Sequence, residues 1–166
     1  MYENQTQPTT ETNTVAAPSK RSKENVFLGI IGAFVGSLCG AILWYILYQM
    51  GILAAISGAV GTFAAIYGYI ILSKDCTKKG IVIAIIFSLL ALVFAWYLCI
   101  ATDIMTLSKQ LSGSGTGVSF GEAFSLVPTF MAEPEISGAY IKDLVIGIIF
   151  AIVGSIQPII SFKDVL

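Results

Sequence analysis

The sequence predicts an all-α fold: a polytopic transmembrane four-helix bundle of two antiparallel hairpins, with a short interfacial helix in the outer loop between spans three and four. Three observations carry this expectation. Hydrophobic residues fill 56% of the 166 positions and charged residues only 11%, against about 25% charged in soluble domains. Mean hydropathy is +0.86. The few charges are clustered, which leaves long uncharged tracts between them.

Residues 1–24 are rich in Thr, Asn, Gln, Glu and Pro. Such a segment buries too little apolar surface to offset the entropy of ordering, so a disordered tail is expected. It ends in Lys20, Arg21 and Lys23. The apolar stretch behind it is too long for a signal-peptide core and lacks a small-residue cleavage site.

From Val26 to Leu72 no charged residue occurs in 47 positions. One helix of that length would reach roughly 70 Å, more than twice the bilayer core of about 30 Å. The tract must therefore fold back, and Gln49-Met50-Gly51 supplies the break. Span 1 is expected at 26–48 and span 2 at 52–72. Lys74, Asp75, Lys78 and Lys79 then interrupt the apolar run. Span 3 follows at 81–102. Its 13 Leu, Ile, Val and Phe residues between Ile81 and Ile100 favour insertion by about 4–8 kcal/mol.

The connection over 103–138 is the only long one. Gly113-Ser114-Gly115-Thr116-Gly117 has the composition of a flexible linker. Ser119 with Glu122 three residues later reads as a capping box. It opens a short helix of about two turns, limited by Pro128 and Pro134, which places Phe120, Phe124, Val127 and Phe130 near one face. An amphipathic piece of this kind suits the bilayer surface; the alternative is an irregular loop packed on the bundle. Span 4 is expected at 139–157, with Pro158 marking its end or a bend.

Orientation follows from the basic residues. With both termini on one side, Lys20, Arg21, Lys23, Lys74, Lys78, Lys79 and Lys163 share that side, seven of the nine. Basic residues are retained in the cytoplasm, so both ends are expected there. Trp44, Tyr45, Tyr48, Trp96, Tyr97 and Tyr140 then mark the outer headgroup level, with Tyr67 and Tyr69 at the inner one.

The one patterned motif is a pair of small-residue stripes. Span 1 carries Gly29, Gly32, Gly36 and Gly40. Span 2 carries Ala54, Gly58, Gly61, Ala65 and Gly68. Each set lies on one helical face. Lipid tails are as apolar as leucine, so helices associate in a bilayer by close packing, which small residues permit. The stripes are expected either to join spans 1 and 2 within the chain or to form an interface between chains. Gly147, Ala151 and Gly154 give span 4 a weaker version.

Several chemistries are excluded. No histidine occurs, which removes Ser–His, Cys–His and HExxH catalysis. Cys39, Cys76 and Cys99 have no metal-ligand spacing, and Cys39 and Cys99 read as small apolar residues within spans. The net charge of −1 excludes nucleic-acid binding by phosphate neutralisation. No Asp, Glu, Lys or Arg falls deep within the expected spans, Lys142 and Asp143 standing in the first turn of span 4, which argues against a proton-coupled transporter. Ser37, Ser57, Thr62, Ser88, Thr102 and Ser155 are expected to bond their own helix backbone. Gln157 is placed to serve a carbonyl freed by Pro158.

The pattern Asn25-x-x-x-Gly29-x-x-Gly32-Ala33, followed by Trp44, Gly51, Gly68-Tyr69 and Lys79-Gly80, resembles a group of uncharacterised, small, glycine-rich four-helix membrane proteins from Gram-positive bacteria. It spans about residues 25–160. The resemblance implies a bacterial plasma membrane and carries no activity.

The expectation is thus a non-enzymatic multi-pass membrane protein without catalytic, cofactor-binding or metal-binding residues. Its partners would be the lipid bilayer and either a second copy or another membrane protein. The alternative is a small oligomeric transporter or channel-like protein.

Overall fold

The computed structural model describes residues 25–50, 56–74, 77–113 and 117–161. The tail over 1–24, Ala54, Cys76 and Lys163 lie outside the described residues. Among the described residues five helices follow in order: α1 Val26–Gln49, α2 Ile56–Ser73, α3 Lys78–Ser112, α4 Phe120–Phe130 and α5 Pro134–Ser161. All but α4 are long and apolar enough to cross a membrane. This is the all-α architecture of a multi-pass membrane protein.

The distribution of side chains is the inverse of a water-soluble bundle. Phe27 is 72% exposed and Ile71 68%, while Ala33, Ala65 and Ala84 are fully buried. Small residues turn inward and large apolar ones outward, as hydrocarbon rather than water requires.

Helix starts have local causes. Asn25 Oδ1 accepts the Leu28 amide, and Thr77 Oγ1 accepts that of Gly80 at 3.1 Å, each satisfying an otherwise orphan donor. Pro134 occupies the first position of α5, where its missing N–H costs nothing. Gly113 ends α3 with φ +58°, a left-handed geometry that glycine adopts without a Cβ penalty.

Three boundaries differ from expectation. Helix α3 continues ten residues beyond Thr102 to Ser112. The fall in hydropathy at Asp103 marks a change of solvent, whereas the backbone ladder continues through the good helix formers Met105, Leu107, Lys109, Gln110 and Leu111. At 1.5 Å per residue α3 is about 50 Å long, so one end stands clear of a core of about 30 Å. Helix α5 starts at Pro134 and runs through Pro158 to Ser161. Helix α4 has 11 residues with Pro128 inside it, not two turns. Pro128 cannot donate to the Phe124 carbonyl, and the Tyr97 hydroxyl of α3 donates to that oxygen instead, at 3.1 Å.

Helix α2 packs against α1, α3 and α5, while α3 packs against α1, α2, α4 and α5. Helices α2 and α3 form the centre, with α1 and α5 on their flanks. The α1–α2 hairpin is closed at one end by the Asn25 amide donating to the Ser73 carbonyl. Helix α4 folds back along α3: Val118 N donates to Ser108 Oγ, and Ala123 and Val127 are buried against Ile100, Ala101 and Ile104. It is docked on a helix, with Phe124 and Phe130 flanking that contact and Phe120 45% exposed.

Candidate functional site at the aromatic end of the bundle

The small-residue stripes meet inside the chain. A Cβ on Gly32 would collide with the Gly68 carbonyl, and one on Gly68 with that of Gly32. Gly36 lies against the backbone of Ala64 and Ala65, and Gly40 against that of Gly61. Gly29 faces the Tyr69 ring, where an added Cβ would stand 2.6 Å away. Gly58 instead faces the Gly147 carbonyl of α5, and Gly154 faces Ala59. Ala65 is fully buried among Ala33, Ile66 and Tyr69. Ala54 lies outside the described residues.

Two aromatic residues expected at the headgroup level are core residues. Trp44 is 2% exposed and Tyr69 1%. The Trp44 ring lies over Gly147, and the Tyr69 ring fills the space left by Gly29 and Gly80. Close approach at glycine leaves room for one large side chain a turn away, and these two rings take it. The buried Trp44 Nε1–H finds no nitrogen or oxygen acceptor among the described residues, and the thiol of Cys99, packed beside it, is its weak partner.

The hydroxyls of the spans are internally satisfied. Ser37 donates to the Phe34 carbonyl at 2.8 Å, Thr62 contacts the Gly58 carbonyl at 3.0 Å, and Ser155 donates to that of Ile152 at 2.6 Å. Thr62 and Ser88 also meet across α2 and α3 at 2.7 Å. Cys99 is buried and Cys39 exposed. Gln157 is exposed, and α5 continues past it.

The polar site lies where α1, α3 and α5 converge. Asp103, expected as the first loop residue, stands inside α3 and is half-buried. Its Oδ2 accepts the Tyr48 hydroxyl of α1 at 2.5 Å and the Tyr140 hydroxyl of α5 at 2.9 Å. One carboxylate oxygen thus ties three helices together with charge-assisted bonds, which are about twice as strong as neutral ones. One residue earlier, Thr102 donates to the Leu98 carbonyl at 2.9 Å, and its oxygen faces the Tyr45 hydroxyl at 3.4 Å. Gln49 Nε2 donates to the Tyr45 oxygen at 3.0 Å.

Aromatic residues complete this end. Trp96 Nε1 donates to the Tyr140 carbonyl at 2.8 Å. Tyr97 and Phe124 have ring centroids 4.6 Å apart, and Phe130 meets Tyr140 edge-on at 6.2 Å. The capping box of α4 is formed as expected: Glu122 Oε2 accepts from the Ser119 amide at 2.8 Å and from its hydroxyl at 2.9 Å. The Ser119 amide and hydroxyl hold the Glu122 carboxyl below the ordinary glutamate range.

The site was hidden in the sequence by its position. Asp103 follows the last apolar residue of its tract and so reads as solvated. The available signal was that Tyr48 and Tyr140 end and begin their own spans at the same level. Comparison of the chain with protein-family models, with curated proteins and with solved structures finds no match in any of the three.

Proposed function

We propose that the chain is a non-enzymatic, multi-pass component of a bacterial plasma membrane that works by assembling with a partner, both termini being cytoplasmic. What supports a packing role is the use of the glycine faces. The contacts of Gly32 with Gly68, Gly36 with Ala64 and Gly40 with Gly61 are backbone to backbone within one chain. A second chain using the same faces would have to displace α2, and with it the centre of the fold. Assembly then falls to the outward surfaces, including the docked α4. The orientation rests on the seven basic residues named above and the retention of such residues in the cytoplasm.

The test is Gly36→Leu in the full chain, in mild detergent. Loss of the folded monomer is expected, because the leucine side chain meets backbone that cannot rotate away. A folded monomer that merely loses cross-linked oligomers would place the stripe between chains and overturn the reading. For orientation, an impermeant maleimide applied to intact cells should label Ser114→Cys and spare Cys76. Labelling of Cys76 alone would reverse the topology.

Asp103 favours a second reading, a small transporter. Ionisable residues packed among membrane helices commonly mark ion or substrate paths. That reading requires solute or ion flux in liposomes that Asp103→Asn abolishes; wild-type vesicles that carry no flux count against it.

A further inference from the structure

A groove runs along the seam of α1 and α3. Its upper part, about 300 Å³, is lined by Leu38, Ile42 and Tyr45 of α1, Leu98 and Thr102 of α3, and Phe120 of α4. Its lower part, about 290 Å³, is lined by Phe34 and Phe87 among others and shares Leu38 and Phe94 with the upper part. The two form one elongated apolar track that begins mid-span and ends at a pair of hydroxyls. An apolar channel with a few polar groups at one end is the usual form of a ligand site.

We infer that this track holds one acyl chain of a bilayer phospholipid, with an ester carbonyl of the lipid accepting a hydrogen bond from Tyr45. The occupant follows from three features. The track lies within two membrane-spanning helices, where hydrocarbon is the only abundant filler. An unfilled groove leaves its lining atoms without contact partners, so the seam is occupied. At its upper end the proton inventory leaves one donor weakly engaged. The Thr102 proton goes to the Leu98 carbonyl, and Gln49 donates to the Tyr45 oxygen. The Tyr45 proton therefore has only the long 3.4 Å contact to Thr102. A phenol whose proton has only so long a contact, at the end of an apolar track, suits an ester carbonyl, an acceptor that has no proton of its own.

Retention cannot rest on apolarity alone, since a tail in the groove and a tail in the bilayer have equally apolar surroundings. It rests on shape and on the Tyr45 bond. Phe120 contributes to the shape: it borders the track beside Leu98 and Thr102 and adds a wall from a third helix.

The experiment is native mass spectrometry of the full chain released from vesicles of palmitoyl-oleoyl phosphatidylcholine. Wild type is expected to retain one phospholipid under collisional activation that strips the rest. Leu98→Trp fills the upper track and should lower retention by about tenfold or more, a loss of about 1.4 kcal/mol. Leu38→Trp, on a residue 38% exposed, blocks the track where its two parts join and serves if Leu98→Trp does not fold. Tyr45→Phe should lower retention less than either. Ile152→Trp, on the outward face of α5 and 54% exposed, should retain the lipid as wild type does. No retained lipid in wild type, or equal retention in the groove variants and Ile152→Trp, overturns the inference.

Discussion

The α1–α2 seam and the aromatic end of the molecule are held together in different ways. Along the α1–α2 seam, backbone rests on backbone at Gly32, Gly36, Gly40, Gly61 and Gly68, with little side chain between. At the aromatic end, α1, α3, α4 and α5 are joined through rings and by hydrogen bonds from Tyr48, Tyr97, Trp96 and Tyr140. The difference follows the solvent. Mid-bilayer offers neither water nor a hydrophobic driving force, so dispersion at closest approach does the joining. Near the headgroups, amphipathic rings can keep a polar atom in contact with partners while burying the rest. Contact of the first kind tolerates almost no added volume. Contact of the second kind tolerates volume but not the loss of an acceptor.

The sharpest break of that comparison is Gly32→Leu. The new side chain meets the Gly68 carbonyl and Leu72, and neither helix backbone can yield locally. Destabilisation of about 3 kcal/mol or more is expected, read from the midpoint of denaturation in mixed micelles. A cost below 1 kcal/mol would mean that the seam opens easily.

Next in size comes Asp103→Ala. It leaves the hydroxyls of Tyr48 and Tyr140 without their acceptor, at an expected cost of about 1–3 kcal/mol. Asp103→Asn should recover part of this, because the amide oxygen still accepts. Equal stability of the two variants would show that the carboxylate charge rather than the acceptor matters here.

Smaller and local is the α4 cap. Ser119→Ala should cost about 1 kcal/mol, seen as faster amide exchange over Phe120–Ala123 while α1 and α2 are unchanged. The pH response has a definite sign. The Glu122 carboxyl titrates below its unfolded value, so its contribution is present above that unfolded value. It is lost as pH falls through the lowered folded value. Exchange in α4 should therefore accelerate only on the acid side of the ordinary glutamate range, and Glu122→Gln should remove that acid response.

The smallest effect has the opposite sign. Gly138 lies in α5 with nothing within 4 Å of an added Cβ. Gly138→Ala should stabilise by about 0.5–1 kcal/mol through reduced backbone entropy. Set beside Gly32→Leu, it separates glycines kept for contact from one that is not.

The spans were legible because hydrocarbon imposes a solvent condition on every residue it touches, and composition records that condition directly. The capping box of Ser119 and Glu122 was legible because it is local. The ends of α3 and α5 were not, since apolarity reports where lipid stops and says nothing of where backbone bonding stops. Trp44 and Tyr69 were misplaced for a related reason: aromatic residues near a span end fit a headgroup belt by composition. Spacing held the better clue. Trp44 continues the series Gly32, Gly36, Gly40 at the same interval of four, and Tyr69 follows Ala65 by four, so each shares the face of its stripe. Asp103 could be placed only by knowing that α3 carries it between two tyrosines from other helices.

The placement of α2 at the centre has a consequence for biogenesis. Its Gly58 and Ala59 are covered by Gly147 and Gly154 of α5, which leaves the ribosome after α1, α2 and α3. While α1, α2 and α3 are already in the bilayer, one flank of the central helix still faces lipid or whatever escorts the nascent chain. Covering of that flank waits for the 28-residue α5, and a chain halted before Pro134 would present a bare, shallow backbone surface to its neighbours.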